Sequence, residues 1–451
     1  MAQGRDPHLR LRAALREALG QEPGQKDFGG HVRVNQAFRF ELSPNAAQRQ
    51  ALVRHIGAAR FAYNWGLSLC QKALEEGRRL PSAAELHREW NRWKRENAPW
   101  WTGVSKCAPQ EAFRDLEKAL KNWRKGKSRF PRFKRKKLTP DNGVRLTGSI
   151  RVFSRHIGLP RIGKVRSKEP LEKLLKLLEE GRARILSATI SREADRFYVS
   201  LTCEVERPDP KPKEVRSEED VVGVDLGISS FAVLSDGTRI EAPKPLAKRL
   251  RLLKRRSKQL SRKERGSNNS KKAALALARL HRKVKNLRRD FLHKQTTWLA
   301  RTKPVIVVED LNVKGLSRGP LSRSVADVGW GAFLRMLEYK AKWYGATLIV
   351  APRSFPSTRL CSRCGHLHGK IPLSQRVFRC TACGLEIDRD LNAAINLKKY
   401  GLAHLTGPTA SSAGSHACGD PSGGGTALLG WSTSYGSVKQ EVACHHRPLE
   451  G

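Results

Sequence analysis

VVGVDLGISSFAVLSDGTRIEA, residues 221–242, sets the architecture of the second half of this 451-residue chain. Its apolar alternation and the Asp-Gly pair at Asp236 and Gly237 predict three strands, the last two joined by a tight turn. The first strand, VVGVD, ends on a carboxylate, Asp225, with Gly227 close behind. Further along, PVIVVEDLN (304–312) reads as a buried strand that also ends on an acid, Glu309. GAFLRMLEYKAKWYG (331–345) follows as a helix and ATLIVAP (346–352) as another strand. A third acid, Asp390, precedes NAAINL (392–397), a helix whose two alanines allow close approach to a sheet.

Carboxylates at the ends of buried strands cost several kcal/mol to desolvate unless a cation neutralises them. Asp225, Glu309 and Asp390 could converge on a divalent metal. Two ions about 4 Å apart, held by shared carboxylates, activate a water and stabilise the leaving oxygen in phosphodiester hydrolysis. Mg²⁺ prefers such oxygen ligands. Singly, each acid is weak, since an Asp after a strand is commonly a turn or cap residue. The order strand-strand-strand-helix-strand-helix-strand, with acids on strands one and four and on a late helix, is the plan of ribonuclease-H-like nucleases. Asp388 and Asp390 are not distinguished by this argument.

Between the two halves of the acid set lies a cysteine constellation. Cys361 and Cys364, then fifteen residues, then Cys380 and Cys383 give two C-x-x-C turns, each followed by glycine. This is four-cysteine zinc-ribbon spacing, and four thiolates make a closed structural shell. His366 and His368 then have no vacancy to fill and are expected to be exposed loop residues. Cys70, Cys107, Cys203, Cys418 and Cys444 carry no assigned role.

The chain holds 87 Lys and Arg against 42 Asp and Glu, a formal net charge of +45. Such self-repulsion is relieved by a polyanion, so nucleic acid is the expected partner. Ten Trp interleaved with the basic residues offer stacking surface. An anionic membrane is disfavoured by the lack of a long apolar run, and the N-terminus lacks the apolar core of a signal peptide. The expected location is the cytosol or nucleoid of a bacterial or archaeal cell. Residues 246–294 carry nineteen Lys and Arg against Glu264 and Asp290. Leu280, Val284, Leu287 and Phe291 recur at helical spacing, and GSNNS (266–270) breaks the run into two basic helices. Arg249, Arg255, Arg256, Lys283 and Arg288, with Arg132 and Lys134 in NWRKGKSRFPRFKRKK (122–137), are candidate phosphate contacts.

Towards the N-terminus, VRVNQAFRFEL (32–42) reads as a strand, followed by Ser43 as N-cap and Pro44 at the first helical position. Helices fill 44–139. Short alternating segments in 140–206 complete a small antiparallel β unit with the strand at 33–43. RPDPKPKEVRSEED (207–220) is a charged, Pro-rich linker. Residues 1–32 and 406–451 read as disordered extensions. The nuclease core spans 221–405, with the zinc ribbon at 357–384 inserted.

With GVDLGISSFAVLSDG, VVEDLNVKGL, FPSTRLCSRCG, CTACG and DRDLNAAINLKKYG in order, residues 33–405 resemble the TnpB family, transposon-encoded RNA-guided DNA nucleases related to type V CRISPR effectors. FRFELSPNAAQRQALVRHIGAARFAYNWGL, FPRFKRK and LPRIGKVR extend the likeness to the first half. The resemblance implies a multidomain α/β plus β protein: a RuvC-like core with inserted zinc ribbon, preceded by a β-barrel wedge with a helical recognition insert. It implies active-site acids Asp225, Glu309 and Asp390, holding Mg²⁺ or Mn²⁺, and makes Asp388 the residue leading into the helix. It further implies a guide RNA and a double-stranded DNA target with a short flanking motif. A non-cutting RNA-guided regulator would have lost an acid, and none is lost. A strand-joining transposase or a non-catalytic zinc-ribbon RNA-binding protein fits less well, and a type V effector from a CRISPR locus is an alternative setting. Monomer and dimer are equally open.

Overall fold

The computed structural model describes residues 30–135, 143–372 and 374–406. The predicted extension up to residue 29 and the tail from 407, with Cys418 and Cys444, lie outside them. The chain forms two compact units and passes from one to the other between Pro208 and Asp209, inside the Pro-rich stretch.

In the N-terminal unit, β1 (His31–Ser43) leads into three helices, α1 (Ala46–Glu75), α2 (Ala83–Asn97) and α3 (Cys107–Arg124). The chain then returns through β2 (Gly143–Leu146), β3 (Arg151–Val152), β4 (His156–Leu159), β5 (Gly163–Ser167), α4 (Glu172–Glu179), β6 (Ala183–Glu193) and β7 (Arg196–Pro208). Seven antiparallel strands pair in the order β2-β6-β7-β1-β5-β4-β3, so the first strand sits in the centre and the helices are an insertion. Among the described residues β2 and β3 are the edges of this sheet. The N-cap of α1 is Asn45, not Ser43 as the sequence suggests. Asn45 accepts from the Gln48 N–H at 2.8 Å while Gln48 Oε1 accepts from the Asn45 N–H at 3.1 Å, a reciprocal box that needs a Gln or Glu three residues on. Position 46 is alanine, so Ser43 could not form one. Several tryptophans expected to stack on a partner are core instead: Trp90 is fully buried, and Trp101 nearly so, beside Phe113 and Leu116.

The C-terminal unit opens with β8 (Val221–Leu226), β9 (Ser230–Leu234) and β10 (Arg239–Glu241), the three strands foreseen. The basic stretch forms α5 (Leu250–Ser261) and α6 (Asn268–Thr302), and α6 is capped by Ser267, whose Oγ accepts from the Ser270 N–H. Val284, Leu292, Thr296 and Leu299 bury one face of α6, whereas Leu287, expected in that stripe, is 41% exposed. Next come β11 (Val305–Glu309), α7 (Val313–Leu316), α8 (Ser322–Val328), α9 (Trp330–Tyr344) and β12 (Thr347–Ala351). A hairpin, β13 (Val377–Arg379) and β14 (Glu386–Asp388), hands the chain to α10 (Arg389–Thr406). The sheet order is β10-β9-β8-β11-β12, with β8, β11 and β12 parallel and β9 antiparallel to both of its neighbours, β8 and β10.

Two-residue alternation divides the central strands between two cores. Val222, Val224, Ile306 and Val308 join Leu299, Phe333 and Leu337 on one side of the sheet. Val221, Val305 and Val307 join Leu397 and Leu405 of α10 on the other. Here α10 lies so close to β8 that a Cβ on Gly223 would fall 1.9 Å from the Ala394 carbonyl oxygen. No helix among the described residues is long and apolar enough to cross a membrane.

Candidate active site and four-cysteine cluster

On β8 the residues facing α10 are Val221, Gly223 and, by the same alternation, Asp225; on β11 they are Val305, Val307 and Glu309. Val224 pairs with Val308 in parallel register. Asp225 and Glu309 are therefore the next residues on adjacent strands, whose spacing is about 4.8 Å. Asp390 enters from above, in the first turn of α10.

The electrostatics show that these groups feel one another. The Asp225 carboxyl is pushed up to about 8, first by burial and then by the charges of Asp390 and Glu309, with Arg389 opposing and Asp388 adding a little. Burial, then Asp310, raises Glu309 as well. After burial, the charges of Asp390 and Glu309 make Asp225 harder to ionise, a cost that a bound cation would relieve. Hard oxygen donors in this state suit a divalent ion of the Mg²⁺ type. Among the described residues the sulfurs of Cys361, Cys364, Cys380 and Cys383 form a set of ligating groups that all lie within 4.8 Å of one another.

Asp388 and Asp390 have different surroundings. Asp388 accepts from the Leu391 N–H at 3.0 Å and pairs with Arg239 at 2.9 Å, which with the backbone hydrogen bonds holds its carboxyl low despite its burial. It is a helix cap tied to β10. Asp390 takes the Arg389 guanidinium on Oδ1 at 3.0 Å, and that buried guanidinium also donates to the carbonyls of Pro372 and Gln375.

Cys361, Cys364, Cys380 and Cys383 come together as their spacing predicts. The Cys361–Cys383 and Cys364–Cys380 sulfur pairs are each 3.6 Å apart, near the edge of about 3.8 Å expected of a tetrahedron with Zn–S bonds of about 2.3 Å. Burial raises the Cys361 thiol, but N–H groups of Cys364 and Arg363 and the neighbouring thiols outweigh it and draw it down to about 6. The donor set and its geometry fit zinc. His368 departs from expectation: it is half-buried, edge-on to Phe378, with Nε2 3.4 Å from Cys380 Sγ. It braces the cluster from outside, while His366 is exposed.

Sequence reasoning missed the residues that join these two sites. Asn392 and Asn396, both fully buried, bond from α10 to the backbone of the first cysteine turn. Two asparagines four apart in an alanine-rich helix were the available signal, since such residues do not favour helix interiors without a reason.

The basic candidates divide. Arg255, Arg256, Lys283 and Arg132 are exposed, and Arg249 is half-buried. Arg288 is not a free phosphate contact: its guanidinium donates to the Asp327 carbonyl at 2.7 Å and pairs with the buried Asp327 carboxylate at 3.2 Å. Asp327 also accepts from the N–H groups of Leu246 and Ala247, so this cluster stitches α6, α8 and the start of the basic segment together. Lys134 lies over the Tyr63 ring at 3.9 Å, with its backbone clamped by Asn64. The electron-rich face of the Tyr63 ring attracts that ammonium locally.

Three family profiles match the chain: "Helix-turn-helix domain" over residues 34–79, "Probable transposase" of OrfB in IS605 over 200–319, and "Cas12f1-like, TNB domain" over 330–397. A Streptomyces pristinaespiralis protein, named a candidate RNA-guided DNA endonuclease, is 35% identical over 82% of this chain and 90% of its own length. The chain belongs to the TnpB family. InsQ of Escherichia coli K12, under the same description, is 31% identical over 82% of this chain and 93% of its own. A solved Cas12f1–sgRNA–target DNA complex aligns with 78% of this TnpB-family chain and 82% of its own at 16% identity, with a TM-score of 0.49.

Proposed function

We propose that this TnpB-family chain is an RNA-guided, divalent-metal-dependent DNA endonuclease associated with a transposon. The observation that carries the catalytic part is the arrival of Asp225, Glu309 and Asp390 on one face of the sheet, where α10 crosses β8 and β11. The relatives' descriptions support the RNA-guided part, and the +45 charge supports a polyanionic guide and target.

In this reading Asp225, Glu309 and Asp390 would hold two Mg²⁺ ions, which Mn²⁺ could replace, and the chemistry supplied there would be activation of a water and charge stabilisation of the leaving oxygen in phosphodiester hydrolysis. The chain's own contribution is placement. The strands fix Asp225 and Glu309, α10 delivers Asp390, and Arg389 orients its Oδ1. The four cysteines hold a structural Zn²⁺. The N-terminal seven-stranded sheet with its inserted helices acts as the nucleic-acid-binding wedge, among the described residues an open sheet in place of the closed barrel expected.

The test is cleavage by the protein with its co-purified RNA. Asp225→Ala, Glu309→Ala and Asp390→Ala should each lower the rate more than ~10³-fold, several kcal/mol in the barrier, with target binding retained. Asp388→Ala should keep cutting. Activity in Asp390→Ala together with a dead Asp388→Ala would move the third ligand by two residues. Normal cleavage by all four would remove this core as the nuclease.

A further inference from the structure

The helix that carries Asp390 is fastened to the cysteine module by its own side chains. Asn392 Oδ1 accepts from the Ser362 N–H at 3.0 Å, and Asn392 Nδ2 donates to the Leu360 carbonyl at 2.8 Å. One turn on, Asn396 Nδ2 donates to the same Leu360 carbonyl at 2.7 Å and to the Ser357 carbonyl at 2.8 Å. Both side chains are fully buried, and Lys399 adds a bond to the Ser362 carbonyl. Positions 392, 396 and 399 share one face of the helix, while Ala394, Leu397 and Gly401 meet the sheet. The first cysteine turn is thus gripped through backbone groups between Ser357 and Ser362, immediately around the ligand Cys361.

Buried carboxamides are costly in a helix interior unless they are bonded; Asn392 bonds through both Oδ1 and Nδ2, and Asn396 through Nδ2 to two carbonyls, its buried Oδ1 having no partner among the described residues. Packing alone would be served by leucine at these sites, and the sheet side of the same helix is served that way. The grip therefore has a geometric use. It lies within two residues of Asp390 along the helix at one end and beside a zinc ligand at the other.

We infer that Asn392 and Asn396 are positioning residues that lock α10 to the zinc knuckle and so set where Asp390 stands relative to Asp225 and Glu309. This rests on the proposed metal-binding role of the three acids. Partners one step removed from a metal ligand alter metal affinity by about 10–100-fold. Loosening the lock should weaken divalent-ion binding at the carboxylates while zinc stays in place.

The experiment uses the full chain with its bound RNA and Mn²⁺ as the probe, read by electron paramagnetic resonance. The relevant site is the Mn²⁺ population that Asp225→Ala removes. Asn392→Leu and Asn396→Leu should retain one zinc per chain and bind target within about twofold of the parent. Their Asp225-dependent Mn²⁺ affinity should fall about tenfold or more, and the Mg²⁺ needed for half-maximal cleavage should rise by the same factor. If a leucine variant sheds zinc, Asn396→Ala carries the test: it removes the Nδ2 bonds to Ser357 and Leu360 without adding bulk or charge and leaves the Asn392 bonds in place. Unchanged Mn²⁺ affinity and Mg²⁺ requirement in zinc-retaining variants overturn the inference. A parent protein with no Asp225-dependent Mn²⁺ site overturns the metal reading itself, and the inference with it.

Discussion

Asp388 and Asp390 lie two residues apart and make separate contacts in this structure. Asp388 spends its carboxylate on the Leu391 N–H and on Arg239, so Asp388→Ala should cost about 1 kcal/mol of stability, the usual loss for a cap, measurable by thermal unfolding. Lys340 gives a second prediction at this scale. It is 5% exposed, donates to the His293 carbonyl and to the hydroxyls of Thr296 and Thr297, and burial draws it down to about 8. Its folded value lies below the unfolded one, so the unfolded chain holds more protons between pH 8 and about 10.5. Stability therefore rises with pH across that window. Unfolding temperatures of the parent should gain on those of Lys340→Met from pH 8 to about 10.5, and a constant difference would refute the assignment.

The element that decides the site is α10. It approaches β8 at Gly223, where an added Cβ would meet the backbone of Ala394 and Lys398, atoms that cannot swing away. Gly401 is a milder case, because its added Cβ would meet the Val307 side chain at 2.4 Å. Gly223→Ala should push the helix off the sheet, costing about 1–3 kcal/mol and separating Asp390 from Asp225. Gly401→Ala should lose less of both stability and cleavage. Thermal unfolding beside single-turnover cleavage reads the order, and a reversed order would contradict the packing. The zinc module makes the matching prediction: Cys380→Ser should lose the metal by elemental analysis and abolish cleavage through Asp390, because the knuckle and the helix are bonded together.

At the scale of the molecule, charge governs binding. Removing one phosphate-bound cation makes the slope of log K against log salt shallower by about 0.9 on duplex DNA. Arg255→Ala, Arg256→Ala and Lys283→Ala together should flatten the slope and weaken binding across sequences. Arg288→Ala should behave otherwise, destabilising the C-terminal unit with little change in slope, because its charge is committed to Asp327. Titrations at several salt concentrations separate the two behaviours.

Local chemistry is what the sequence carries without help. Apolar alternation gave β8, β9, β10, β11 and β12 their identity, two C-x-x-C turns gave the four-cysteine cluster, and strand-end acids gave Asp225 and Glu309 as candidates, because each signal sits within a few residues. Other features depended on side-chain geometry or on partners far away in the chain. The cap of α1 turned on how the Asn45 and Gln48 side chains meet, which a ranking of capping residues does not settle. The internal roles of Arg288 and Lys134 required Asp327 and Tyr63. The grip of Asn392 and Asn396 on residues 30 to 39 positions earlier had no local signature beyond their spacing. Only the tertiary structure could place α10 against β8 and the cysteine turn at once, because close approach is a property of two surfaces and neither is complete in any one segment of sequence.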